Sequence, residues 1–175
     1  GSCAKVRMPG PSEAQLEKLL SAAMSAPDHG QLRPWRFLVL QGEALTRLGD
    51  IFVAATLAHQ PTLDEQMRKR VHDKALRAPM VIVVVAEVTP GHKVPVEEQV
   101  MATACAAEHI MLAAQALGLG AMWRTGDMAR NVQVKQALGF AAKDEIVAFI
   151  YLGTPDGEQR VRVTQDASSL CRTLP

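Results

Sequence analysis

The sequence is poor in aromatic residues and in cysteine. Of its 175 residues four are Phe, two Trp and one Tyr, so a core has to be built from aliphatic and methionine side chains. The three cysteines, Cys3, Cys105 and Cys171, are odd in number and widely spaced. That spacing argues against a disulfide framework and for a reducing, cytoplasmic setting. Cys105 stands in Ala102-Thr103-Ala104-Cys105-Ala106-Ala107, where a small buried hydrophobe is expected and no base for a nucleophile is indicated. No uncharged apolar run reaches the roughly 18 residues of a membrane-spanning helix, and no apolar segment near the start suggests a signal peptide. Basic runs are missing too. The net charge is +1 with signs mixed along the chain, which is not the footprint of a nucleic-acid surface. Repeats and low-complexity linkers are absent, and the length suits one well-buried domain over 1–175.

Several chemistries are absent with their motifs. Gly118-Leu119-Gly120 resembles part of a dinucleotide fingerprint, but it follows a helical pattern and precedes a strand-like one, the reverse of what a phosphate at a helix N-terminus needs. His29, His59, His72, His92 and His109 show no ligand spacing, so no metal site is expected. Neither a Gly-x-Ser-x-Gly elbow nor a Walker loop occurs.

What is present is a series of helices and buried strands. Ser12 followed by Gln15 forms a capping box for a helix whose core face carries Leu16, Leu19, Leu20 and Ala23. Residues 36–40 read as a short buried strand, and 43–57 as a helix. Thr62 with Glu65 predicts a second capping box and a charged helix through Arg77, ended by Pro79. The run Met80-Val81-Ile82-Val83-Val84-Val85-Ala86 is apolar at every position, as in a strand covered on both faces. A helix over 96–117 is stopped by Gly118. It is apolar nearly all round, which calls for burial against both the sheet and a second subunit. Short strands follow at 120–126 and 145–152, with a helix over 132–138 between them, and 160–163 alternates like an edge strand. The expected class is α+β, with a central mixed sheet covered by helices on both faces.

Two stretches carry more chemistry than a surface needs. Ala26-Pro27-Asp28-His29-Gly30-Gln31-Leu32-Arg33-Pro34-Trp35 puts an imidazole, a carboxylate, an amide and a guanidinium between two prolines that restrict the backbone. Trp123-Arg124-Thr125-Gly126 runs from a strand into a turn. Taken singly, His29 also suits a hydrogen-bonded loop, Trp123 the core and Arg124 a surface ion pair.

Together with Arg77-Ala78-Pro79, His92-Lys93-Val94-Pro95 and Tyr151-Leu152-Gly153-Thr154-Pro155, these stretches resemble the flavin-dependent nitroreductase family. Within it they are most similar to the short bacterial NAD(P)H nitroreductases. The resemblance implies the nitroreductase fold and an FMN oxidoreductase. Such an enzyme takes hydride from NADH or NADPH and passes it to a nitro compound, quinone or similar small-molecule electron acceptor in a ping-pong cycle. It also implies a homodimer with flavin sites at the interface. By resemblance the flavin contacts are Ser2, Pro27, His29, Gln31, Trp123, Arg124 and Thr125, with no catalytic acid, base or nucleophile. The family's first motif is Arg-Arg-Ser, of which only Ser2 has a match here, so weak retention of the FMN phosphate is expected; Arg160 and Arg162 are further sources of charge. A flavin store or sensor without turnover is the alternative. The chemistry agrees with these roles: a flavin needs a flat apolar wall and a few donors near its reactive ring, and arginine suits a phosphate.

Overall fold

The computed structural model describes residues 2–157 and 166–174. Its elements, in order, are β1 (Val6–Arg7), α1 (Glu13–Ala23), β2 (Trp35–Gln41), α2 (Glu43–Leu57), α3 (Glu65–His72), β3 (Met80–Ala86), α4 (Val96–Ala116), β4 (Gly120–Arg124), α5 (Asp127–Arg130), α6 (Val132–Ala137) and β5 (Glu145–Pro155). The edge strand expected over 160–163, with Arg160 and Arg162, lies outside the described residues.

Local signals account for most boundaries. Ser12 caps α1 by accepting from the Gln15 amide, and the Gln15 side chain accepts from the Ser12 amide in return. The expected box at Thr62 does not form. Asp64 caps α3 instead, its carboxylate accepting from the Met67 amide at 2.6 Å; aspartate is the stronger N-cap, and here it stands directly before the first turn. α3 also ends at His72 and not at Arg77. From Lys74 to Leu76 the amides bond three residues back, to Val71, His72 and Asp73, so the chain tightens into turns before Pro79.

β3 is buried at all seven positions. It pairs with β2 on one side and β5 on the other, and β5 also pairs with β4 and β1. Every ladder among the described residues is antiparallel, where a mixed sheet was expected. The reason is topological. β3 and β4 are both antiparallel to β5 and therefore run the same way, joined by the single crossover helix α4. β5 is inserted between them, so their common direction produces no parallel ladder.

The two faces have separate cores. Met80, Ile82 and Val84 of β3 pack with Ala148, Ile150 and Leu152 under α1 and α4. Val81, Val83 and Val85 pack with Ile146, Phe149 and Tyr151 under α2, α3, α5 and α6. The register shifts between Val84 and Val85, and this irregularity keeps Ile146 on the same face as Phe149 and Tyr151. α4 buries Ala102, Ala106, Ile110 and Ala114 in the first core. Its other side exposes Met101 (64%) and Leu112 (52%), with Cys105 half-buried between them.

Candidate functional site

The loop at 26–34 is held by its own polar groups. Asp28 accepts from the Arg33 amide through its carboxylate (2.6 Å) and from the Gln31 amide through its carbonyl (3.2 Å). That ring forces Gly30, Gln31 and Arg33 to positive φ, at 74°, 54° and 48°. For glycine this costs nothing, but Gln31 and Arg33 are held in a region side chains avoid, with strain of order 1–3 kcal/mol each. A Cβ at Gly30 would meet Cγ2 of Val94 at 3.2 Å, so the loop sits against the 89–95 segment. That segment is tied to α4 by the buried Gln99, which accepts from the Thr89 amide and donates to the Thr89 and Val94 carbonyls. Pro27, His29 and Gln31 are all exposed on the outer side. His29 is not a bare loop residue: its Nδ1 lies 2.5 Å from a carboxylate oxygen of Glu98, in the first turn of α4. Nothing in the sequence pairs positions 69 residues apart, and Glu98 had no signal of its own.

The second stretch is built on strand. Along β4 successive side chains alternate faces, as the pleat requires. Trp123 packs against the α1/α4 core, while Arg124 turns to the other face and lies over the Tyr151 ring at 5.7 Å. Arg124 forms no ion pair among the described residues. Its Nε is buried without a hydrogen-bond partner.

On that face a cleft of about 460 Å³ opens, lined by Phe52 of α2, Lys74 and Arg77 beyond α3, the 123–128 segment, and Phe149 and Tyr151 of β5. Its volume falls within the range of small-molecule sites. Phe52 meets Phe149 edge to face, with centroids 5.5 Å apart. The Tyr151 hydroxyl donates to the Lys74 carbonyl at 2.9 Å, which fixes the turn that carries Lys74 and Arg77. Burial pushes the Tyr151 phenol above its ordinary value, and the nearby charges of Arg124 and Arg77 oppose that push. Aromatic walls, three cations and an orphaned guanidinium nitrogen fit an anionic ligand that carries a flat ring.

The expected flavin contacts are therefore not gathered in one place within a chain. Pro27, His29 and Gln31 lie beside the β2 edge, and Trp123, Arg124 and Thr125 lie at β4, with β3 and β5 between. Three strand spacings separate the two groups laterally by roughly 14 Å. Ser2 belongs with the second group, because the adjacent Cys3 donates its amide to the Ala121 carbonyl of β4. Lys74, Arg77, Tyr151 and Glu98 were not foreseen as site residues. Among the described residues no group of His, Cys, Asp and Glu could hold a metal ion, and no helix is long and apolar enough to cross a membrane.

The family model that matches is the nitroreductase family, over residues 4–154. An Escherichia coli K12 protein named "Putative NAD(P)H nitroreductase YdjA" is 37% identical over 154 residues, 88% of this chain and 83% of that protein. A Haemophilus influenzae relative, whose name also ends in "NAD(P)H nitroreductase", is 37% identical over 167 residues, 93% of this chain and 90% of its own. Among solved structures, a nitroreductase-like family protein from Bacillus cereus superposes with a TM-score of 0.83 at 22% identity, covering 99% of this chain and 91% of that one. A nitroreductase with bound FMN from Bacteroides fragilis gives 0.74 at 21% identity, covering 99% and 94%. At such identities these superpositions establish the fold alone.

Proposed function

The chain belongs to the nitroreductase family, and from that premise we propose that it is an FMN-dependent NAD(P)H oxidoreductase. It works as a homodimer and delivers electrons to a nitro compound, a quinone or a similar small electrophile. The observation that carries the reading is the cleft at β4, where Arg124 presents a buried donor with no acceptor beside aromatic walls. FMN, when bound, supplies the hydride chemistry. The chain's own residues supply binding and position. Arg124 and Thr125 hold the ligand from the β4 side, Pro27 offers an apolar edge, and Gln31 and His29 offer donors. Glu98 holds the His29 ring by its Nδ1, which leaves Nε2 directed away from the pair for contact with a ligand.

Within one chain the two groups of contacts stand at opposite edges of the sheet, so the site is completed by a second copy. The exposed Met101 and Leu112 on α4 support such an assembly, since burying each contributes about 1.5–3 kcal/mol. Replacing both by Asp is expected to yield a folded monomer in sedimentation, with flavin affinity lost. A dimer that persists in this variant places the interface elsewhere. The reading as a whole is tested by the absorption spectrum. A yellow protein that NADPH bleaches anaerobically supports the oxidoreductase. A yellow protein that resists bleaching makes it a flavin store or sensor, and a colourless one that takes up no FMN sinks both.

A further inference from the structure

Lys74, Arg77 and Arg124 line one cleft, and among the described residues none of them has an ion-pair partner. Other exposed cations, among them Lys18, Arg33, Arg70 and Lys93, also form no ion pair among the described residues, but these three line one cleft. Asp127 borders the same cleft and makes no ion pair with any of the three. The buried Nε of Arg124 adds a sharper anomaly, because a buried donor without an acceptor carries its full desolvation cost. The fold holds these groups in place. The Tyr151 hydroxyl clamps the Lys74 carbonyl, and the Tyr151 ring lies beneath the Arg124 guanidinium. Arg77 is near enough to the same phenol for its charge to be felt there.

We propose that Lys74, Arg77 and Arg124 form a phosphate subsite, which receives the phosphate monoester of a nucleotide ligand with Arg124 Nε as one of its donors. A phosphate offers several acceptor oxygens and up to two negative charges, which matches three cations lining one cleft better than a single carboxylate does. Phe52, Phe149 and Tyr151, on the same face of the sheet, line the part of the cleft that receives the neutral part of the ligand. Two nucleotides carry the required group, FMN at its 5′-phosphate and NADPH at its 2′-phosphate. Only the choice between them rests on the oxidoreductase reading.

The test uses the full chain and its Lys74→Met and Arg77→Met variants, singly and combined. Both side chains are exposed, so the fold is expected to survive, which circular dichroism verifies. Inorganic phosphate should raise the melting temperature of the parent protein above that in chloride at equal ionic strength, and the gain should vanish in the double variant. Each lost charge-assisted contact is expected to weaken the phosphorylated ligand by about tenfold. If FMN weakens while riboflavin does not, the subsite holds the flavin phosphate. If the KM for NADPH rises while that for NADH does not, it holds the 2′-phosphate. A folded double variant that keeps the phosphate-induced stabilisation and both ligand preferences overturns the proposal. Should the parent protein bind no FMN, the oxidoreductase reading falls, and the inorganic phosphate measurement still decides the subsite.

Discussion

The 26–34 loop presents Pro27, His29 and Gln31 to solvent on backbone whose residues Gly30, Gln31 and Arg33 are held at positive φ. The cleft beside β4 places Arg124 on a strand with no positive-φ residue, over a Tyr151 residue that is 4% exposed. In the first region the unfavourable term is conformational, stored in Gln31 and Arg33. In the second it is electrostatic, stored in a guanidinium nitrogen with no acceptor. On the proposed function, these are two ways of keeping a surface ready for a ligand: a loop is bent into a shape it resists, or a donor is buried before its acceptor arrives. The strand-built region should depend on core packing, and the loop-built region on single backbone positions.

The largest expected effect is therefore at the base of the cleft. Tyr151→Ala removes a buried ring from the second core and should destabilise the protein by about 3–5 kcal/mol in chemical denaturation. Tyr151→Phe keeps the ring and loses only the bond to the Lys74 carbonyl, at a cost of about 1 kcal/mol. The pair of variants also has a pH signature. Because the folded phenol titrates above its ordinary value of 10.0, its contribution is fully present below pH 10 and is lost as pH rises through the folded value. The parent should thus lose stability at alkaline pH more steeply than Tyr151→Phe, and parallel alkaline profiles would contradict a clamped, buried phenol.

Next in size is Gly30→Ala. The new Cβ meets Val94 at 3.2 Å in a residue held at φ 74°, so a loss of about 1–2 kcal/mol is expected. An unchanged melting temperature would mean that the loop rearranges freely. Gln31→Gly works in the opposite direction. Relief of positive-φ strain, partly offset by glycine's entropy in the unfolded chain, should stabilise by up to about 1 kcal/mol while weakening flavin binding. A variant that gains neither stability nor a defect shows that the strain serves nothing.

The smallest effect belongs to the His29–Glu98 pair, whose side chains are 64% and 44% exposed. Glu98→Gln should change stability by no more than about 0.5 kcal/mol. His29→Ala should weaken FMN binding or slow reduction with the fold intact. If it affects stability more than ligand binding, His29 is a structural loop residue, and the comparison between the two regions collapses.

Much of the fold was written in local patterns. The capping box at Ser12, the fully apolar run of β3 and the length of α4 depend on neighbours within a few residues, so periodicity and cap chemistry determine them. The backbone form of the two candidate stretches, an ordered loop between prolines and a strand running into a turn, was legible as well, because those signals are local. Tertiary structure alone decided the rest. Strand direction did not follow from burial, since a doubly covered strand has the same composition whether its neighbours are parallel or antiparallel; the insertion of β5 between β3 and β4 settled it. Likewise Lys74 and Arg77 read as solvated charges on a helix end until α3 stopped at His72 and the Tyr151 hydroxyl drew their turn over the sheet. Residues 47 to 77 positions apart meet in that cleft only because the sheet brings β4 and β5 beneath the end of α3. Which charges go unpaired is a property of that meeting and of no segment by itself.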